Sequence, residues 1–406
     1  MLQISDKGKA IPASPIRKLV PYADKAKQKG IQVFHLNIGQ PDIQTPEIAL
    51  EVVRRMQLSV IEYTASAGNY SLRTKLAGYY QKLGIPITEQ EILITTGGSE
   101  AILFAFMSTL NEGDEIIIPE PFYANYAAFA VMTGAKIKAV TAKIENNFAL
   151  PPISEFEKLI TPKTKGIVII NPNNPTGYLY SKKELEALAN IVKKYNLFLY
   201  SDEVYRRYCY DGLQHYSVLN LKEIEQNTIL FDSMSKRYSE CGIRVGAIIT
   251  RNQDILNTSL KFGMARLCPP ALGQIAAEAS LDTTDEYFQK VYDEYIQRRN
   301  FMVEELNKIP GVICPLPKGA FYSIVRLPVD DAEKFARWLL EEFDYNGQTV
   351  MLAPASGFYH TPGLGKNEAR IAYVLKISEL QKAVEILSVA LQTYPGRVVP
   401  ETLTKS

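Results

Sequence analysis

Lys236 lies in FDSMSKRYSECGIRVG, residues 231–246, where an apolar run ends at Phe231 and Ser233, Ser235 and Arg244 follow closely. Two hydroxyls and an arginine suit a phosphate dianion, because a guanidinium offers paired charge-assisted hydrogen bonds. A lysine among cationic or apolar neighbours becomes nucleophilic and can form a Schiff base with a carbonyl. Alone, the same residues also describe a solvated loop with ordinary surface charge. TTGGSEAILFAF, residues 95–106, sets paired glycines, Ser99 and Glu100 ahead of an apolar helical stretch. The backbone at Gly97 and Gly98 can approach a ligand closely, and a helix start offers free N–H groups to an anion. A plain strand–turn–helix connection would use them too. Neither GxxxxGK[ST] nor GxGxxG occurs.

Two further segments change the weight of these. SDEVY, 201–205, sets Asp202 directly after an apolar run, where a carboxylate can pair with a protonated ring nitrogen, and Tyr205 three positions on can bond a ring hydroxyl. NPNNPTG, 171–177, offers Asn174 on a proline-stiffened loop for that same hydroxyl. Each has a plainer use, since Asp often caps a helix and NPTG often turns a chain. Taken together, a Schiff-base lysine and an aspartate for a pyridinium are the pair expected for pyridoxal phosphate.

The elements that must position these residues follow from hydrophobic pattern. Short apolar runs occur at Ile92–Thr95, Glu115–Ile118, Ile137–Ala142, Gly166–Ile170, Leu197–Ser201, Thr228–Phe231 and Val245–Thr250, with amphipathic stretches such as Ser181–Lys194 between several of them. Strands alternating with helices predict an α/β fold with a mostly parallel seven-stranded sheet between helices. TGGSE, PEPFY, NPNNPTG, SDEVY and DSMSK each follow a strand, and ligands collect at the carboxyl ends of such strands. Asp282–Lys308 reads as a long helix with an apolar face of Phe288, Val291, Tyr292, Tyr295, Phe301, Met302, Val303 and Leu306. A smaller α+β region follows, with strands at Ala320–Arg326, Thr349–Leu352 and Ala369–Val374 and helices at Asp331–Phe343 and Ser378–Gln392. The division expected is an N-terminal arm that is also part of a small domain (1–47), a large cofactor-binding domain (48–285) and a small C-terminal domain (286–406).

Composition narrows the partners. The 406 residues carry 45 Lys+Arg and 44 Asp+Glu, a formal net charge of +1. That balance argues against a nucleic-acid footprint or an anionic-membrane surface. No apolar run approaches the roughly 18 residues of a membrane span. Four scattered cysteines without CxxC spacing and three distant histidines speak against a metal centre and for a reducing, cytoplasmic setting.

The ordered series GGSE, PFY, NPNNPTG, SDEVY and SMSK…R resembles the class I pyridoxal-phosphate aminotransferases, of the fold shared with aspartate aminotransferase (fold type I). The likeness runs from NIGQPD near residue 37 to ARIAY near 370. It implies that Lys236 holds the cofactor and moves the substrate's proton, with Asp202 keeping the ring nitrogen protonated. Tyr205 and Asn174 would bond the ring oxygen, and Tyr123 would stack on the ring. Gly98, Ser99, Glu100, Ser233 and Arg244 would cradle the phosphate. Tyr63 would reach the phosphate of a neighbouring subunit, implying a homodimer with shared sites. Arg370 would clamp the substrate α-carboxylate, and Gly39 would close over the substrate. The implied reaction moves an amino group from an L-amino acid, aspartate first, to 2-oxoglutarate. Alanine or aromatic donors, or a C–S lyase of the same fold, are the alternatives. Two departures stand out. Glu240 occupies a place usually apolar, and Ser99-Glu100 follows the glycines where some aspartate-active members carry a lysine. Arg17 is a candidate replacement for that lysine.

Overall fold

The computed structural model describes residues 2–398; the last positions assigned to the C-terminal domain, 399–406, lie outside it. Twelve strands occur in chain order: β1 (Gln32–His35), β2 (Ile92–Thr95), β3 (Glu115–Glu120), β4 (Lys136–Thr141), β5 (Thr164–Ile170), β6 (Phe198–Asp202), β7 (Thr228–Ser233), β8 (Gly246–Ile249), β9 (Tyr322–Arg326), β10 (Gln348–Met351), β11 (Ala353–Pro354) and β12 (Glu368–Ala372). Seven of them form one sheet in the order β2-β8-β7-β6-β5-β3-β4. Only β8 runs against the others. All seven apolar runs therefore become strands of a single sheet. Because six share a direction, the polar clusters after β2, β3, β5, β6 and β7 gather along one edge.

The helix Lys182–Tyr195 illustrates how sequence builds the layer over this sheet. Ser181 Oγ accepts from Glu184 N, and the Glu184 carboxylate accepts from Ser181 N at 2.7 Å, so the first turn is closed reciprocally. Leu185, Leu188, Ala189, Ile191 and Val192 recur on one face and are buried with the β5 and β6 side chains Ile167, Ile169 and Leu199. Asn196 in the left-handed conformation ends the helix. Truncating Leu188 to Ala would cost about 2–5 kcal/mol by cavity formation.

A second body is built on β9, β11 and β12, paired antiparallel, with β1 joined in parallel to β10. Its core includes Leu19, Val33, Tyr295, Phe335, Val350, Ile371 and Leu387. The chain's beginning thus packs with its last third. The long helix, Asp285–Lys308, buries Val291, Tyr295, Met302 and Leu306. It also buries Arg298 and Arg299, which the apolar pattern leaves out; Arg298 pairs with Asp42 at 2.7 Å and Arg299 with Asp211 at 2.7 Å. The Arg298 pair ties the NIGQPD segment to this helix. No helix among the described residues is long and apolar enough to cross a membrane.

Candidate active site

At the end of β7, Ser233 Oγ accepts from Ser235 N at 3.2 Å and starts the single turn Met234–Arg237. That turn lifts Lys236 over the sheet edge. Its Nζ donates to the Gly39 carbonyl at 2.7 Å and lies 3.9 Å from Cys241 Sγ. From behind, Tyr208 donates to the Lys236 carbonyl at 2.6 Å.

The next strand end holds Asp202. It is buried, and it accepts from Tyr126 at 3.3 Å and from Val204 N at 3.4 Å. Burial pushes its carboxyl up to about 6, with Lys236 pulling the other way. Asn174, on the loop after β5, donates to Tyr205 Oη at 3.4 Å and accepts from Arg370 at 3.1 Å. Tyr205 also shares a hydrogen bond with Tyr322 at 3.0 Å. Arg370, on β12, donates to the Asn37 carbonyl at 2.5 Å, lies over the Tyr322 and Phe358 rings, and keeps a buried Nε with no partner. An arginine this buried with an unpaired donor is a group awaiting an anion. Tyr123 is held by Asn125 at 2.8 Å; burial first, then Tyr322 and Asp202, push its phenol up to about 12, while Arg370 and Arg17 act in the opposite sense.

Three chain segments meet where the paired glycines begin the helix Gly97–Thr109. A Cβ at Gly97, whose φ is +76°, would run into the Arg244 guanidinium, and one at Gly246 would lie 2.6 Å from Gly98 N. Only backbone fits there, so the helix's first N–H groups lie close to Ser233 and Arg244. Backbone donors, hydroxyls and a guanidinium make a donor set that suits a phosphate dianion. The Glu100 side chain is committed elsewhere: it accepts from Thr96 N at 2.7 Å and pairs with Arg266 at 3.3 Å, leaving only its backbone for a ligand. Tyr63 stands apart from this cluster, 79 % exposed.

A model of the family Aminotransferase class I and II matches residues 31–387. The chain belongs to this family. As a member it is a pyridoxal-phosphate-dependent aminotransferase. It is 33% identical over 395 residues to the aspartate aminotransferase of Pyrococcus horikoshii, covering 96% of this chain and 97% of that protein. It is 30% identical to aromatic-amino-acid aminotransferase 2 of Thermococcus litoralis, covering 96% of this chain and 99% of that protein. Among solved structures, Thermus thermophilus aspartate aminotransferase with maleate superimposes with a TM-score of 0.88 at 26% identity, covering 96% of this chain and all of that one.

The aminotransferase also brings to this cluster residues that its sequence does not advertise. Tyr322 touches Tyr205, Gly39 and Arg370; a Cβ on Gly39 would overlap the Tyr322 hydroxyl. Asn37 receives Arg370 on its carbonyl and donates its amide to the Ile16 carbonyl at 2.9 Å. The mostly apolar run of β9 signals that Tyr322 is buried, and nothing in it signals that the hydroxyl faces Tyr205. Beneath the site lies a buried charge lattice. Asp232 pairs with Arg237 at 2.8 Å, lies 3.8 Å from Arg206 and accepts from Tyr80 at 3.0 Å. Burial opposes ionisation, yet Arg237 and Arg206 hold Asp232 down to about 2. This lattice joins the Asp202–Arg206 strand end to the turn bearing Lys236.

Proposed function

We propose that this aminotransferase takes the amino group of an acidic L-amino acid, aspartate first, and passes it to 2-oxoglutarate, with Lys236 as the residue that carries the cofactor. One observation carries the reading. Lys236 donates to Gly39 and Arg370 donates to Asn37, so a group suited to an amine and one suited to a carboxylate converge on the same short segment. An α-amino acid presents those two functions on adjacent atoms.

The residues fit pyridoxal phosphate. The backbone of Gly98, Ser99 and Glu100, with Ser233 and Arg244, would hold the phosphate; Asp202 would pair with the ring nitrogen, Tyr205 and Asn174 with the ring oxygen, and Tyr123 would cover the ring face. When bound, the cofactor supplies a ring that accepts the electrons of the substrate's Cα–H bond. Arg370 grips the α-carboxylate with a planar fork and so fixes which Cα bond stands upright. Lys236 Nζ takes the proton from Cα. A cationic partner beside Asp202 keeps its carboxylate charged against the pull of burial. The Gly39 segment, backed by Tyr322, covers the substrate and keeps water out. Tyr63 serves the site of a second copy, which makes the working unit a homodimer.

An acidic donor is supported by Arg17, whose positive charge is felt at Tyr123, and by the maleate bound in the Thermus relative. The chain is read as an N-terminal arm that is also part of the small domain, 1–47, a large domain, 48–285, and a small C-terminal domain, 286–406. Free cysteines at all four positions support a cytoplasmic setting. The test is a panel of amino donors with 2-oxoglutarate, scored by kcat/KM. Aspartate should lead and yield a stoichiometric new amino acid; release of pyruvate and ammonia instead would indicate a lyase. Borohydride should fix the cofactor to Lys236, and a Lys236→Ala chain that still retains it would overturn the lysine assignment.

A further inference from the structure

Beside Lys236 a cavity of about 480 Å³ opens between the 239–243 turn, the helix Glu47–Arg54 and Ala276. Two reactive side chains without a part in amino transfer line it, Cys241 and Glu240. The Cys241 thiol donates to the Ser235 carbonyl at 3.2 Å, and its sulfur lies 3.9 Å from Lys236 Nζ. Glu240 is only 5 % exposed; Oε2 accepts from Ser280 at 2.8 Å, and Oε1 has no protein partner. Burial pushes the Glu240 carboxyl up to about 8, so at neutral pH it holds a proton. A buried carboxyl with an open oxygen is costly unless something polar bonds to it. An apolar residue here would avoid that cost and would leave the cavity without a proton donor. A thiol and a proton donor in the lining, with the Lys236 amine behind the sulfur at 3.9 Å, suit a compact guest that both gives and accepts hydrogen bonds.

We propose that Cys241 and Glu240 form a hydroperoxide-reactive site that links Cys241 covalently to Lys236. The Cys241 sulfur attacks one peroxide oxygen and the O–O bond breaks. Glu240 gives its proton to the departing hydroxide, forming water, and is refilled by the thiol's proton. Sulfur is oxidised by two electrons as the peroxide is reduced, leaving a sulfenic acid. The free Lys236 amine then attacks that sulfur. The S–O bond breaks, hydroxide leaves with an amine proton as a second water, and an S–N bond joins the two side chains. A thiol reductant reverses the link. Its consequence, a silenced transaminase, rests on the reading of Lys236 as the cofactor's lysine; the link itself does not.

The test treats the purified holoenzyme with hydrogen peroxide in the presence of excess amino donor and no oxo acid, followed by tryptic peptide mass spectrometry. The expected product joins the peptide ending at Arg237 to the one beginning at Tyr238. Its mass is two hydrogens below the sum, and dithiothreitol removes it. Cys241→Ser should lack the link and retain activity after peroxide. Glu240→Gln should form it about 10²-fold more slowly. Cys241 recovered only as free thiol or as sulfinate would overturn the proposal, as would a link that forms equally fast in Glu240→Gln. Repeating the mass measurement on cofactor-free protein separates the two readings: a link there, together with no borohydride trapping at Lys236 in the holoenzyme, would sink the cofactor assignment and leave this one standing.

Discussion

Lys236 Nζ donates to the Gly39 carbonyl over 2.7 Å, joining residues 197 positions apart. The contact depends on glycine, because a Cβ at position 39 would overlap the Tyr322 hydroxyl. Gly39→Ala must move either the segment or Tyr322, which also supports Tyr205 and Arg370. A displacement of about 1 Å at reacting groups costs on the order of 10²-fold in rate. Gly39→Ala should therefore lower kcat/KM by about that factor while cofactor binding changes little. An unchanged kcat/KM in steady-state assays would show that the segment does not cover the substrate.

Arg370 is buried, with Asn174 and Asn37 occupying its two Nη atoms and an unpartnered Nε. Two charge-assisted hydrogen bonds to a carboxylate contribute about 1.5–3 kcal/mol each. Arg370→Ala should then raise KM at least about 10²-fold for every amino donor, whatever its side chain. Arg370→Lys should recover only part, since a point charge cannot reproduce the planar fork. A loss confined to dicarboxylic donors would assign this arginine to the side-chain carboxylate instead.

Lys236, Asp202 and Asn174 are legible in sequence because each stands at the end of an apolar run, and parallel strands bring such ends to one edge. The seven-stranded sheet is legible for the same reason: buried strands are short, continuous and apolar. Tyr322 and Asn37 are not, since their work is a matter of which distant group they face. The Tyr205–Tyr322 bond spans 117 residues and the Arg370–Asn37 bond 333. Arg298 and Arg299 escape for a related reason. Helical periodicity classes charged residues as solvent-facing, and only the folded chain brings Asp42 and Asp211 to them. The Glu240 cavity likewise exists only because the helix Glu47–Arg54 packs near the 239–243 turn.

Arg17 lies on a stretch pinned from several sides. Pro15 packs on Gly357, the Ile16 carbonyl accepts from Asn37, Lys18 pairs with Glu333 at 2.5 Å, and Leu19 enters the core. The exposed Arg17 is thereby fixed close enough for its charge to act on Tyr123. Arg17→Gln should reduce kcat/KM for aspartate and glutamate by about tenfold, in keeping with one partly solvated charge-assisted contact of about 1.5 kcal/mol. Alanine and aromatic donors should be unaffected or improve. An equal loss across donors would remove Arg17 from substrate selection.

Asp232 holds Arg237 and Arg206 beneath the site, and those arginines lie 4.4 Å over the rings of Tyr79 and Tyr80 respectively. Breaking a buried pair from one side strands the other charge and costs about 3–5 kcal/mol. Asp232→Asn should therefore destabilise strongly in denaturant titrations. The double change Asp232→Asn with Arg237→Met should recover part of that loss, because it removes an uncompensated charge. If the double variant is less stable than the sum of the singles, the pair is not coupled as the geometry requires.

Glu240 makes stability depend on pH in a direction opposite to that of a salt-bridged carboxylate. Its folded-state pKa, about 8, is raised above the ordinary 4.5 chiefly by burial, with the Ser280 hydrogen bond and the Arg237 charge working against that rise. Tyr287 is the further titratable group coupled to it, and that phenol is pushed up to about 12. Between these two Glu240 values the native chain holds a proton that the unfolded chain has released. Stability must therefore fall as pH rises from about 4.5 to about 8 and then level off. The full loss is on the order of a few kcal/mol, since each unit of pKa difference corresponds to about 1.4 kcal/mol. Glu240→Gln should be close to wild type at pH 5 and clearly more stable at pH 9, and Glu240→Met should behave likewise. Urea midpoints measured across that range, with cofactor load held constant, provide the check. A parallel pH dependence in wild type and Glu240→Gln would mean that the carboxyl ionises freely in the native state. Its proton would then be unavailable to the cavity it shares with Cys241.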